Sequence, residues 1–255
     1  MDQTQTPPAD LKTFSVEVLD PESGLFVSLT AGGNGAIMLG DDVIGAAPIP
    51  AGGLDPLSAG APLSLETEHG ELEVEIGPAG DPILFEGGLT GRREARLIEV
   101  SGRLVEGDRT IELECAGVLH AREDEPPAGS TRRDLTVILA DGGLLCVAAA
   151  GPVGSERHSE EESVAAISHP GGYLEFEEAL ISTEYDGAGR QYRASLELWP
   201  ASGDVAVLHG AGTVISGCTA RLPSGVVNTA LFRWSLDGHL GMGRYEITRP
   251  VKDAA

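Results

Sequence analysis

The feature that most constrains this chain is a period of two. Leu72, Val74 and Ile76 alternate with Glu71, Glu73 and Glu75, and Leu63 and Leu65 alternate with polar neighbours just upstream. Successive side chains of an extended strand point to opposite faces, so each run predicts a strand with one buried and one wet face. His69-Gly70 stands between the two runs at a tight turn. Tyr192, Ala194, Leu196 and Leu198 repeat the pattern against Gln191, Arg193, Ser195 and Glu197. One-sided alternation belongs to antiparallel sheets, because parallel strands are covered on both faces.

Turn signals recur at strand-length intervals. Asn34-Gly35, Gly107-Asp108, Asp141-Gly142, Asp186-Gly187, Ser202-Gly203, Ser224-Gly225 and Asp237-Gly238 each lie between apolar runs. Such pairs tolerate positive φ and suit short hairpin loops, which accounts for most of the 35 glycines. Strands joined so briefly must be antiparallel neighbours. One short helix is predicted over Ser159 to Ser168, where Ser159 and Glu162 match a capping box and His169-Pro170-Gly171 supplies a stop. Within it Glu160, Glu161 and Glu162 suit the positive end of a helix better than a cation site. Ala46 to Ala61, rich in Pro, Gly and Ala, is expected as a long loop.

The chain also echoes itself. Val100 to Ala121 and Arg193 to Ser216 share an order of strand, Gly-Asp turn and strand, and ILFEG (Ile83 to Gly87) echoes LEFEE (Leu174 to Glu178). The expected organisation is a disordered N-terminus over 1–12, a first β unit over 13–125 and a second over 130–250. Glu125-Pro126-Pro127-Ala128-Gly129 marks the boundary. The fold class is therefore all-β and antiparallel, with at most one or two short helices.

At the C-terminus, ALFRWSLDGHLGMGRYEITRP (Ala230 to Pro250) sets an aromatic strand, a D-G turn and a G-x-G strand in succession. This run, with the duplicated layout, resembles the closing hairpin of the duplicated lipocalin-like proteins related to carotenoid hydratases (hydroxyneurosporene synthases). The resemblance implies two lipocalin-like β-barrel units packed together around an apolar ligand cavity, with no organic cofactor. It also implies water addition, isomerisation or cyclisation of polyenes as the kind of activity. No catalytic residue is carried over from it.

Charge narrows the partners. Acidic residues number 40 against 17 basic ones, a net charge of −23. So negative a surface repels phosphate backbones and anionic lipid, which argues against nucleic-acid and membrane partners. A polar N-terminus without a basic and apolar leader, and the absence of any apolar run near the roughly 20 residues of a membrane helix, lead to the expectation of a cytoplasmic protein. Cys115, Cys146 and Cys218 show no paired spacing and are expected to be small buried thiols. The six histidines are scattered, so no metal centre is expected. Oligomeric state is left open.

Chemistry then rests on polar residues in apolar rows. On 172–183, Leu174, Phe176, Glu178 and Leu180 share a face; turned inward, Glu178 becomes a carboxylate with a raised pKa, able to move a proton. The opposite face, with Tyr173, Ala179 and Ile181, is the competing inner row. Asn228 shares a row with Val226, Ala230, Phe232 and Trp234, where its amide orients a ligand or bonds a neighbouring strand. His209 lies among Val205, Val207, Ala211, Thr213 and Ile215, as a catalytic group or a satisfied core residue. Tyr245 alternates with Gly243 and Ile247, its hydroxyl a donor into a cavity or its ring mere packing. Glu178, Tyr245 and His209 are thus the catalytic candidates, and Phe176, Tyr192, Asn228, Phe232, Trp234 and Met242 the substrate-binding ones. The expected function is a cofactor-independent hydratase, isomerase or cyclase acting on an apolar polyene, isoprenoid or polyketide-like ligand in a barrel cavity. The alternative is a non-catalytic carrier of such a molecule.

Overall fold

The computed structural model describes residues 13–30, 34–40, 42–48, 62–67, 70–87, 89–122, 129–153, 160–169, 172–201, 206–222 and 225–250. Among the described residues nine strands occupy the first half: β1 (Thr13–Asp20), β2 (Leu25–Thr30), β3 (Asn34–Leu39), β4 (Asp42–Pro48), β5 (Pro62–Glu66), β6 (Glu71–Ala79), β7 (Ile83–Gly87), β8 (Gly91–Glu106) and β9 (Arg109–Arg122). The second half holds β10 (Ser130–Leu139), β11 (Leu144–Pro152), β12 (Glu162–His169), β13 (Gly172–Tyr185), β14 (Gln191–Pro200), β15 (Leu208–Leu222), β16 (Gly225–Leu236) and β17 (His239–Pro250). The protein is all-β and antiparallel, a closed barrel beside a curled half-barrel.

In the first half the sheet runs β4-β3-β2-β1-β9-β8-β6-β5, with β7 also on β8. Its concave side holds the predicted alternating rows, Leu63 and Leu65 with Leu72, Val74 and Ile76, packed against Val16, Val18, Val27 and Leu29. The second half closes on itself, because β17 pairs back onto β10. That pairing is close: a Cβ on Gly243 would stand 1.8 Å from the Thr136 carbonyl oxygen, so only glycine fits there. The β16–β17 turn uses Asp237 at φ 46° and Gly238 at φ 92°, the D-G hairpin that the sequence signals. The echoed segments are the long hairpins β8–β9 and β14–β15, each preceded by a strand paired with its first member, β7 and β13.

Three local expectations change. The predicted helix is strand β12: Val164 and Ile167 are β-branched, and the segment pairs with β11 on one side and β13 on the other. Its start, Ser159, lies outside the described residues, as do His69, His158, 49–61, Ser202-Gly203 and Ser224. Glu161 and Glu162 therefore cap no helix; Glu161 meets Arg133 at 3.1 Å and Glu162 accepts a hydrogen bond from the Leu89 amide at 3.1 Å. Asn34-Gly35 opens strand β3 rather than forming a turn, and β4 extends to Pro48 into the stretch expected as loop. Cys146 is buried, while Cys115 and Cys218 are half-buried. Burial raises all three thiols, that of Cys115 to about 12.

Candidate functional site

The two sheets meet along faces that alternate with their interiors. On β10, Leu135 and Val137 point into the barrel, whereas Arg132, Asp134, Thr136 and Ile138 turn to the first sheet. On β17, Tyr245 and Ile247 point inward and Met242, Arg244 and Glu246 outward. Facing them are Glu17 and Leu19 of β1, Arg93 and Ala95 of β8, and Val118, His120 and Arg122 of β9. Part of this junction is apolar: Ile83, Ala95 and Val118 pack on Leu144, Cys146 and Ala166, and Leu19, Phe26 and Met38 pack on Leu231. The rest is charged.

The charged part is a linked network. Arg93 reaches Asp134 at 2.6 Å, and Arg132 pairs with the other oxygen of the same carboxylate. Arg244 lies between Glu17, at 2.5 Å, and Glu246, at 3.0 Å. Thr229 donates to Glu246 at 3.0 Å. His120 sets Nε2 at 3.0 Å from Glu17 and 3.3 Å from the Thr136 hydroxyl. Buried charges persist only when paired, and here each carboxylate has a guanidinium or imidazole against it. Burial alone raises the Asp134 carboxyl, but Arg132 and Arg93 overcome it and hold the group far below the usual carboxylate range. At Glu17 burial is likewise outweighed, by Arg244 and His120, and the pKa falls. Arg93 drops to about 10, through burial and, in smaller part, the neighbouring guanidiniums Arg132 and Arg122.

A cavity of about 60 Å³ opens within this network, lined among others by Phe85, Arg93, His120, Arg122, Arg132 and Arg244. It combines an acid–base side chain, several cations and an aromatic wall. An open groove of about 490 Å³ also crosses β5, β6, β8 and β9, but its walls are mostly exposed Glu73, Glu75, Glu112 and Glu114 with Arg103. Among the described residues, no three His, Cys, Asp or Glu side chains converge as a metal site.

The candidates named from the sequence divide into three groups. Phe176, Asn228, Phe232, Trp234 and Tyr245 are brought together inside the barrel. Phe232 stacks on Trp234 and meets Tyr245 edge-on, both at 5.6 Å between ring centroids. The Tyr245 hydroxyl bonds Thr183 at 2.6 Å, and burial raises its pKa above the ordinary tyrosine range. Asn228 accepts from the Thr219 hydroxyl at 2.7 Å, and its carbonyl accepts from the Gln191 amide. Two polar atoms in this interior, Trp234 Nε1 and Gln191 Oε1, have no hydrogen-bond partner among the described residues.

Glu178, His209 and Tyr192 form the second group, all exposed on the outside. For Glu178 the cause is a bulge between Phe176 and Glu178, which moves the inner row from Phe176 to Ala179 and Ile181 and turns the carboxylate outward opposite Trp199. A second irregularity, between Glu184 and Tyr185, puts Gln191 inside and leaves Tyr192 outside, near Arg193. His209 sits on the outer row because Gly210 packs inward against Leu196. Met242 stands alone in the third group, at the junction beside Leu231. His120, Glu17 and the junction arginines were not among the candidates. Their best sequence signal is the unbroken apolar run Leu144–Ala150, buried on both faces, which marks a barrel wall with a second cover.

No family model and no curated protein sequence matches the chain. Solved structures do. An AttH protein from Nitrosomonas europaea superposes with a TM-score of 0.65 at 13% identity, over 94% of this chain and 92% of that one. Kievitone hydratase from Nectria haematococca gives 0.57 at 8%, over 97% and 92%. CghA with Sch210972 gives 0.55 at 10%, over 93% and 87%. The chain thus shares its fold with these proteins at great sequence distance. At these identities the likeness establishes the fold alone.

Proposed function

We propose that this chain is an enzyme acting, without a cofactor, on an apolar polyene, isoprenoid or polyketide-like molecule, and that its reaction is a proton transfer of the hydratase, isomerase or cyclase kind. The chemistry lies at the junction and not in the barrel interior. The observation that carries it is His120. Its Nε2 is held by Glu17, its ring lines the cavity, and Nδ1 makes no hydrogen bond among the described residues. An imidazole oriented by a carboxylate is a general acid or base. The guanidiniums of Arg93, Arg132 and Arg244 stand ready to stabilise negative charge that develops on the substrate. The cavity admits only a reacting head group, so the apolar body lies along its mouth beside Phe85. Positioning of the reacting ends supplies much of the rest. The fold shared with a protein named as a hydratase supports the same reading.

Native mass spectrometry of freshly isolated protein is the first test, to identify a co-purified apolar molecule. That molecule, incubated with the protein in D₂O, should take up deuterium or be converted, and His120→Gln should slow this by about 100-fold or more. A molecule returned unchanged and unlabelled would leave the second reading, a carrier. That reading is favoured by one observation, the unpartnered Trp234 Nε1 and Gln191 Oε1 inside the barrel, which a bound polar atom would satisfy.

A further inference from the structure

Charge balance in the junction is uneven. Leaving His120 aside, Asp134 is divided between Arg93 and Arg132, and Arg244 between Glu17 and Glu246. Glu94, which also lines the cavity, pairs with Arg96, so among the described residues every carboxylate around the cavity is engaged. Arg122 lines the same cavity, half-buried, with no hydrogen bond or ion pair among the described residues, and the two carboxylates whose charge reaches it, Asp134 and Glu246, are already engaged. Arg93 and Arg132 crowd it, and burial together with the Arg132 charge lowers its pKa. A partly desolvated guanidinium among other guanidiniums is costly, and an anion is what removes the cost. This surplus cation sits in a protein whose net charge is −23, where a locally positive cavity focuses anions that the rest of the surface repels.

Resting on the junction as the ligand site, we propose that Arg122 receives the carboxylate of an amphipathic substrate, so that the molecule bound here carries one anionic head and an apolar tail. The cavity's 60 Å³ is about the space of two waters, enough for a carboxylate and too little for a ring. A planar guanidinium matches that group with two parallel N–H donors. The apolar wall at Phe85 lies beside it for the tail.

The test uses the full chain and three probes, octanoate, 1-octanol and inorganic phosphate, in calorimetry and in imidazole-detected NMR of His120. Octanoate should bind at least tenfold tighter than octanol, weaken as salt rises, and shift the His120 ring resonances. Arg122→Gln should lose about tenfold or more of that affinity, and Arg122→Lys, which keeps the charge without the paired donors, should fall between that variant and the natural chain. Should Arg122→Gln not fold, the salt dependence and the octanol comparison decide the matter on the natural chain. Octanol binding as well as octanoate, with His120 shifting for both, overturns the carboxylate assignment and leaves the junction as the site. Phosphate binding as tightly as octanoate overturns the tail-bearing class. If neither octanoate nor octanol moves the His120 resonances, both the assignment and the junction site fall.

Discussion

The barrel interior and the junction are built from alternate residues of the same strands, yet they solve opposite problems. Inside the barrel, Leu135, Val137, Tyr245 and Ile247 join Phe232 and Trp234 in a packed apolar mass. On the reverse of the same strands, Arg132, Asp134, Arg244 and Glu246 face a second sheet and must settle their charges among themselves. Apolar packing is non-directional and tolerates many partners, whereas buried charge demands particular ones. The aromatic interior is therefore where stability is concentrated. The junction is where geometry is specified, and there His120 lines the cavity.

That contrast can be attacked from either side. Trp234→Ala should cost about 3–5 kcal/mol in chemical unfolding, since it empties the centre of the barrel core; a loss below about 1 kcal/mol would mean that the interior is a pocket. Octanoate affinity below the unfolding midpoint should be unchanged in that variant. Asp134→Asn should cost about 3 kcal/mol, because it leaves Arg93 and Arg132 buried against each other without their shared carboxylate. Its unfolding should also separate into two transitions, one for each sheet, and a single unchanged transition would show that the network does not couple them.

Acid should act on the junction before the interior. The carboxyls of Asp134 and Glu17 have lower pKa values folded than unfolded. Their stabilisation is complete above the unfolded carboxylate pKa, near 4, and is lost as pH falls through and below it. Below about pH 4, fluorescence of the barrel tryptophan Trp234 should stay native while the His120 resonances report a loosened junction; simultaneous loss of both would break the distinction. The smallest effects belong to the outer surface. Glu178→Gln and His209→Asn should each change stability by no more than about 0.5 kcal/mol, and neither should alter turnover of a co-purified ligand. A large loss of turnover in either would return the chemistry to the barrel wall.

Much of this architecture is legible from alternation alone. The rows Leu72, Val74, Ile76 and Asn228, Ala230, Phe232, Trp234 do share the faces that the pattern assigns them, and the D-G turn at Asp237 is where its chemistry places it. What alternation cannot register is an extra residue. The bulge beside Glu178 reverses a row without any change of composition, and Glu178 moves from a presumed acid in the core to solvent. The segment at 162–169 carried a capping pattern, yet sheet neighbours on both sides outweighed that local preference. The junction stayed hidden for a third reason. Arg132, Asp134 and Thr136, alternating with Arg133, Leu135 and Val137, look like a strand with a wet face. Whether water or another sheet covers that face is decided by residues far away in the chain.

The return of β17 to β10 has a consequence for how the protein is made. Every other strand of the barrel precedes β17, and pairings so distant in sequence are slow to form. Arg244 and Glu246 ride on that same strand, so Glu17 gains its guanidinium partner and Thr229 its carboxylate only as the ring shuts. Until then Glu17 has only His120 of its own sheet against it. Completion of the ionic network is in this sense a record that synthesis and folding of the second half have finished, and a chain stopped short of Gly241 would leave Glu17 without Arg244 and the junction without its closing wall.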